Sequence, residues 1–287
     1  MKRRYGAPGR GASLHNRSLE RGLSILRVFR PGASLRGNGE IAELTGLPRS
    51  TVSRLTQTLV ACRFLEHDRM ANAYRLGATV LGLAEAWIAG SDVLPLAIPL
   101  MKRISDKLRA NVSLAVADGD EMVYLHSVRR RDVGVPRRVV RGHRTPIEMT
   151  SLGRAYLATL TPKERSLLLA RFRRRYPAHR WKTLGHEIGD AVRQVQRTGY
   201  CRVEWLPGIT AVAMPIQVPG RIAYLINVGI SSRQCDEARI RDEIVPGLLA
   251  LGAALRQAVE RINDKSVRSN GRNDMLGSWN VIDRSIQ

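Results

Sequence analysis

The group of side chains best suited to bind another molecule lies between residues 49 and 57. Its hydroxyl, guanidinium and amide groups can hydrogen-bond to the edges of DNA bases or to phosphates. Those at the start of a helix would also lie beside free N–H groups, which favour a phosphate. The candidate DNA-binding residues of this segment are Arg49, Ser50, Thr51, Ser53, Arg54 and Gln57.

Two short helices joined by a tight turn would position these side chains. Gly46 supplies the turn, because a positive φ is easiest for glycine. Leu47 is an apolar plug between the helices, and Pro48 lies near the start of the second helix, where its missing N–H does no harm. The face opposite the polar side chains is apolar and carries Val52, Leu55 and Leu59. The pattern predicts a helix-turn-helix, and an ordinary helical hairpin with a solvated polar face is the alternative.

A β-hairpin is predicted directly behind these helices, over residues 63–76. It would form the wing of a winged helix-turn-helix, with Arg69 and Arg75 able to contact the DNA backbone. We therefore predict a winged helix-turn-helix DNA-binding domain over residues 17–77. Residues 1–16, rich in Arg, Gly and Ser, are predicted to be a disordered basic arm.

Enzymatic sites are not indicated by the sequence. The chain has no phosphate-binding Gly-rich loop, no dinucleotide fingerprint and no Gly-x-Ser-x-Gly elbow. His179 and His186 have no third metal ligand in view, so surface histidines are favoured over a metal site. Cys201 lies between Tyr200 and Arg202, which makes a lowered thiol pKa conceivable, although a core or pocket-wall cysteine is favoured. We predict no enzyme activity, catalytic residue, metal or cofactor.

The net charge of the chain is +22, with 47 Lys and Arg against 25 Asp and Glu. Such an excess indicates a polyanionic partner, or alternatively a solvated basic surface. The three cysteines are far apart, which suits a reducing cytoplasm and predicts no disulfide framework. No apolar run approaches the ~18–20 residues of a membrane span, so we predict a cytoplasmic protein without a membrane partner.

The rest of the chain divides into a linker helix, a larger domain and a tail. A broad apolar stripe marks a helix in residues 78–92, which Gly90-Ser91-Asp92 would end. Strand-like runs on either side of Asp118-Gly119-Asp120 predict a tight β-hairpin. Strand pairs with helices at both ends then predict an α+β domain over residues 93–262, which a long amphipathic helix near residues 236–262 would close. Residues 263–287 are polar and irregular, and we predict a mobile C-terminal tail.

Several motifs together resemble the IclR family of bacterial transcription regulators. They are Ser18–Leu26, the helix-turn-helix, Tyr74–Gly77, Thr150–Ala158, Gly199-Tyr200 and Pro207–Ile216. The resemblance covers roughly residues 17–262. It implies a GAF-like effector-binding domain, a homodimer or dimer of dimers, and control by a small organic or aromatic acid. Three features depart from the family pattern. Glu148 replaces a common His, Arg154 replaces a common Lys, and Glu204 followed by Trp205 stands where an acidic pair is common before Pro207-Gly208.

The resemblance also implies an effector site beside the helix that begins near residue 151. Hydroxyls and free N–H groups at a helix start suit a carboxylate, and Arg154, one turn further, could add a charged hydrogen bond or point to solvent. Core packing or helix capping is the ordinary role for each of these residues. The candidate effector-binding residues are Met149, Thr150, Ser151, Leu152, Gly153, Cys201, Ala211 and Asn227.

Two functions remain open from the sequence. The first is a ligand-responsive regulator that binds a palindromic operator in double-stranded DNA as a dimer, with residues 80–88 packed against their twin. The second is a basic, nucleoid-type DNA-binding protein whose sensor domain is independent of ligand. The sensor motifs favour the first function, and the charge of +22 suits the second.

Overall fold

The computed structural model describes residues 16–130, 139–234 and 236–277, and the chain divides into two compact units after Ser91. The first unit contains helices α1 (Arg17–Leu26), α2 (Asn38–Thr45), α3 (Arg49–Ala61) and α4 (Thr79–Ala89). Strands β1 (Leu65–Asp68) and β2 (Ala73–Leu76) form an antiparallel hairpin between α3 and α4. Residues 1–15 of the predicted basic arm lie outside the described residues.

The order of these elements is that of a winged helix-turn-helix, as the sequence predicts. Gly46 ends α2 with φ of +72°, and Pro48 is the N-cap of α3. The small core between the helices contains Ile25, Ile41 and Val52, which are fully buried, with Leu47 packed against it. Backbone hydrogen bonds of 3.0 and 2.8 Å join Arg36 to Tyr74, so a third short segment pairs with the wing.

The second unit is an α+β domain built on one six-stranded antiparallel sheet. Its strands are β3 (Asn111–Asp118), β4 (Glu121–Val128), β5 (Arg144–Pro146), β6 (Cys201–Leu206), β7 (Ile209–Ile216) and β8 (Tyr224–Ser231). Their order across the sheet is β5-β4-β3-β8-β7-β6. The two-residue turn Gly119-Asp120 joins β3 to β4, as the sequence predicts. Strands β5 and β6 are not predicted by the sequence pattern.

Helices cover both faces of this sheet. They are α5 (Val93–Leu108), α6 (Ser151–Thr159), α7 (Pro162–Arg173), α8 (Ala178–Thr198), the short α9 (Glu237–Arg239) and α10 (Val245–Gly277). Because strand side chains alternate, Met214 faces α10 while Ala213 packs with the core of α6 and α8. Helices α5 and α10 therefore cover one face, and α6 with α8 covers the other.

The last helix differs from the prediction. A short helix and a π-helical turn (Ile240–Ile244) precede α10, and α10 then continues to Gly277. The helical backbone of α10 thus continues as far as Gly277, into the segment that is predicted to be a mobile tail from residue 263. Residues 278–287 lie outside the described residues.

No single described helix is long and apolar enough to cross a membrane. One bent pair, α4 with α5, meets that test by length and composition alone.

Candidate functional site

The polar side of α3 is available for binding. Arg49, Ser50, Arg54 and Gln57 are exposed, and Thr51 and Ser53 are half-buried. The opposite side is held in the core by Val52, Leu55 and Leu59, as the sequence predicts. Because packing fixes that side, the helix presents its hydroxyl, amide and guanidinium groups on one outer face.

The charges on α3 are not used by the fold. Arg49 and Arg54 make no ion pair with any described residue. The first turn of α3 has no acidic residue, and its N-cap, Pro48, has no side chain that could bond the free N–H groups. An incoming phosphate would therefore find both cations and unsatisfied donors at this end of the helix.

The wing places its two predicted DNA contacts in different electrostatic situations. Arg75 is paired with Asp68 at 2.8 Å and lies 3.8 Å from Glu66. Arg69 is exposed in the hairpin turn and has no ion pair among the described residues. The charge of Arg69 is therefore available for a phosphate, whereas that of Arg75 is shared with two carboxylates.

A hollow lies on the sheet face that carries α6, beyond the part that α6 covers. It encloses at most about 640 Å³, and part of that space is open to solvent. Its apolar walls include Tyr124, Leu206 and Ile209. Its polar lining includes Asn111, Ser113, Ser127, Arg129, His143, Thr145 and Asn227.

Strand register explains why these polar groups meet. One row across the sheet runs from Ser127 through Ser113 to Asn227, which are paired on adjacent strands. The two serine hydroxyls are 2.9 Å apart and hydrogen-bond to each other. Asn227 makes no side-chain hydrogen bond to a described residue, and the Thr145 hydroxyl is buried without a partner among them. The hollow therefore contains hydrogen-bonding groups that no described residue uses, and Arg129 is part of its lining.

The structure brings only part of the predicted effector site to this hollow. Ala211 and Asn227 line it, as predicted. The remaining predicted residues do not line it: Met149, Thr150, Ser151, Leu152, Gly153 and Cys201. Thr150 caps α6, since its hydroxyl accepts from the Gly153 N–H at 3.2 Å and donates to the Pro146 carbonyl at 3.1 Å. Ser151 is buried, and its hydroxyl has no partner among the described residues.

Cys201 and Arg154 have structural surroundings. The Cys201 thiol donates to the Ser151 carbonyl at 3.5 Å, and burial raises the pKa of Cys201 to about 12 despite the nearby charge of Arg154. A lowered thiol pKa is therefore wrong. Arg154 neither points to solvent nor reaches the hollow: it is buried and donates to Glu187 at 2.7 Å and to the Glu148 carbonyl at 3.1 Å.

The two histidines weighed as metal ligands, His179 and His186, are both exposed. No group of three or more His, Cys, Asp or Glu among the described residues could hold a metal ion.

Comparison with known proteins agrees with this architecture. The IclR helix-turn-helix domain model matches residues 18–69, and the bacterial transcriptional regulator IclR C-terminal model matches residues 86–257. The HTH-type transcriptional regulator TsaQ1/TsaQ2 of Comamonas testosteroni is 30% identical over 251 residues, which cover 85% of this chain and 86% of that protein. The chain belongs to the IclR family of transcriptional regulators, which are DNA-binding proteins and not enzymes.

Two solved structures of the family resemble this one. An IclR family transcriptional regulator from Brucella abortus has a TM-score of 0.78 and 33% identity, with 86% of this chain and 93% of that chain covered. An IclR homolog from Microbacterium hydrocarbonoxydans, complexed with 4-hydroxybenzoate, has a TM-score of 0.63 and 22% identity, with 85% and 99% covered. The second likeness supports the fold alone.

Proposed function

We propose that this protein is a ligand-responsive transcription regulator that binds an operator through α3 and senses a small organic acid in the hollow. The observation that carries the sensing role is the hollow itself. It combines a buried hydroxyl without a described partner at Thr145, the amide of Asn227 and the cation Arg129, within apolar walls. A carboxylate on a small apolar or aromatic body has the complementary chemistry.

An aromatic acid is the preferred class of effector. Tyr124, Leu206 and Ile209 provide apolar surface for a ring, and the charge of Arg129 suits a carboxylate. The family member from M. hydrocarbonoxydans, which was solved with 4-hydroxybenzoate, gives a first compound to test. The alternative, a ligand-independent nucleoid-type binder, does not account for polar groups in the hollow that lack described partners, because such groups lower the stability of a protein that has no use for them.

We further propose that the protein binds its operator as a homodimer through α4. None of the residues of α4 is buried, although the helix is almost entirely apolar. Leu81, Leu83 and Trp87 are 64%, 59% and 49% exposed. An apolar patch of this kind marks an interaction surface, and a second copy would bury it while providing two reading helices for a palindrome.

The dimer is tested by sedimentation of the wild type and of a Leu81→Asp, Leu83→Asp variant. We expect a dimer for the wild type at micromolar concentration and a monomer for the variant, because burial of two carboxylates opposes association. A Leu167→Asp variant is the matched control, since Leu167 is 62% exposed on α7 and should leave the dimer intact. A monomeric wild type would remove this proposal.

The sensing role is tested by a thermal-shift titration with 4-hydroxybenzoate and related aromatic acids. A ligand that binds only the folded state raises the melting temperature. In Thr145→Val the hydroxyl without a described partner becomes a methyl group. We therefore expect a higher melting temperature than wild type without ligand, and a smaller shift with ligand.

Thr150→Val is the matched variant, and it also tests the carboxylate grip predicted at Thr150 and Ser151. If the hollow holds the ligand, removal of the α6 cap should lower the melting temperature and leave the ligand-induced shift unchanged. A shift that disappears in Thr150→Val and persists in Thr145→Val would place the effector at the start of α6 and overturn the assignment to the hollow.

A further inference from the structure

A cationic surface lies where α7 ends and α8 begins, in the second unit. Between Glu164 and Glu187 the chain has seven Arg or Lys residues and no Asp or Glu. Three of the seven are used by the fold: Arg171 and Arg175 pair with Asp120, and Arg165 donates to the Leu157 carbonyl at 3.3 Å. The other four, which we name the corner cations, are Arg173, Arg174, Arg180 and Lys182.

The corner cations are available to a partner. All four are exposed, and none makes an ion pair with a described residue. The turn between the helices is held by a backbone hydrogen bond of 2.9 Å from the Arg175 N–H to the Phe172 carbonyl and by the stacked rings of Tyr176 and Trp181, whose centroids are 6.3 Å apart. The four charges therefore project from a short, packed segment.

The helix dipoles favour only two of the four corner cations. Arg173 and Arg174 lie at the C-terminal end of α7, where the helix dipole favours a cation. Arg180 and Lys182 lie near the N-terminal end of α8, where the dipole disfavours one. That end also has no acidic residue in its first turn and no side-chain cap. Mutual repulsion and the dipole thus both lower the stability of the free protein, and a bound polyanion would reverse both effects.

The excess of positive charge is not confined to the first unit. Residues 1–91 have 14 Lys and Arg against 6 Asp and Glu, whereas residues 92–287 have 33 against 19. The larger part of the net charge of +22 therefore lies outside the unit with the reading helix.

We propose that the corner cations bind the phosphate backbone of duplex DNA, as a contact separate from the reading face of α3. Duplex DNA carries about one charge per 1.7 Å of its axis, so a compact group of cations meets several phosphates at once. Three of the four corner cations are arginines, whose planar guanidinium can donate two hydrogen bonds to one phosphate. This contact adds affinity that depends on salt and not on base sequence.

The test uses the full chain and a duplex of random sequence, with binding measured by fluorescence anisotropy over a series of salt concentrations. In the corner variant Arg173, Arg174, Arg180 and Lys182 are each replaced by Gln. The control variant removes the same number of charges across the sheet, at Lys102, Arg103, Arg256 and Arg261, which are exposed on α5 and α10 without a described ion pair. An Arg54→Ala variant, measured on operator DNA, reports the reading helix separately.

We expect the slope of log K against log salt to flatten by about 0.9 for each phosphate that the protein no longer neutralises, hence by up to about 3.6 in the corner variant. The control variant should keep the wild-type slope to within about 0.9, the effect of one phosphate. The corner variant should also melt at or above the wild-type temperature, which excludes a folding defect as the cause.

A corner variant with the wild-type slope would overturn the proposal, as would equal flattening in the corner and control variants, which would reflect net charge alone. Neither result would contradict the proposed contact of α3 with DNA bases, because that contact is tested separately with Arg54→Ala on operator DNA. Binding of the wild type, but not of the corner variant, to single-stranded RNA with no difference on duplex DNA would also contradict the proposal, since the partner would then be RNA.

Discussion

Replacement of Gly153 by Ala is expected to destabilise the second unit by about 3 kcal/mol, the upper end of the usual cost of overpacking a core. Gly153 lies in the first turn of α6, pressed against the preceding loop. A Cβ atom at this position would overlap the carbonyl oxygen and the Cα atom of Ile147. Both are backbone atoms, so no side-chain rotation can relieve the clash and the helix must move away from the loop.

The displacement would also affect the hydrogen bonds around the start of α6. The Gly153 N–H donates to the capping hydroxyl of Thr150, and the Ser151 carbonyl accepts from the buried thiol of Cys201. Breaking these hydrogen bonds adds to the cost of the clash. Chemical denaturation followed by circular dichroism measures the change in the free energy of unfolding.

Gly185→Ala is the control for this prediction. Gly185 lies in the interior of α8, and a Cβ there would have only ordinary contacts, at 3.9–4.0 Å with Trp181. We expect this variant to gain about 0.4–1 kcal/mol, because Ala has less freedom than Gly in the unfolded chain. Equal stability of Gly153→Ala and the wild type would mean that α6 does not pack on the loop as described.

The second large effect is expected at Arg54. Its side chain is exposed at the centre of the polar face of α3, with no ion pair to a described residue. If its guanidinium makes a two-point contact with a guanine, Arg54→Ala should weaken binding to operator DNA by ~1–3 kcal/mol, about 5- to 150-fold. Binding to random DNA should weaken less.

Arg69→Ala is the comparison, because Arg69 lies in the wing turn and is predicted to contact phosphate. It should weaken binding to operator and to random DNA by similar factors. The operator is recovered by selection from random DNA, and both variants are then compared on it by anisotropy. If Arg54→Ala weakened binding to operator and to random DNA equally, Arg54 would contact phosphate and not a base.

The first unit could be predicted from the sequence because its signals are local. A glycine with positive φ at residue 46, a proline at the start of α3 and apolar residues three and four positions apart are all within one turn or one helix. The same holds for the hairpin of β3 and β4, whose turn is marked by Gly119.

The hollow could not be predicted from local signals, because its lining residues meet only through the register in which the strands pair. Ser113 on β3 lies beside Asn227 on β8 only because the two strands pair in one register, and the residues are more than a hundred positions apart in the chain. The same row continues through Ala213 to Cys201, where the start of α6 covers the sheet. The predicted effector residues are therefore divided between the open part of the sheet and the part that α6 covers. Only Ala211 and Asn227 lie in the hollow.

The roles of Glu148 and Arg154, which depart from the family pattern, are also decided by contacts with residues distant in the chain. Arg154 donates to the backbone carbonyl of Glu148, so the two unusual residues are in contact. The Glu148 carboxylate is buried and accepts a hydrogen bond from Tyr176 at 3.0 Å and one from Arg175 at 3.4 Å. The sequence makes Arg154 a candidate for ligand contact, but its partners on α8 and in the preceding loop give it a structural role.

The proposed function requires that a ligand in the hollow changes the binding of DNA at α3. The most direct measurement is the affinity for the selected operator with and without a saturating aromatic acid that has given a thermal shift. We predict a change of about 5- to 150-fold, the usual range of coupling between two sites, with the affinity for the acid changing by the same factor when operator is bound. Thr145→Val should need more acid to produce the same change. An operator affinity that is identical with and without saturating acid would contradict the proposed function, because a ligand that binds both states equally regulates nothing.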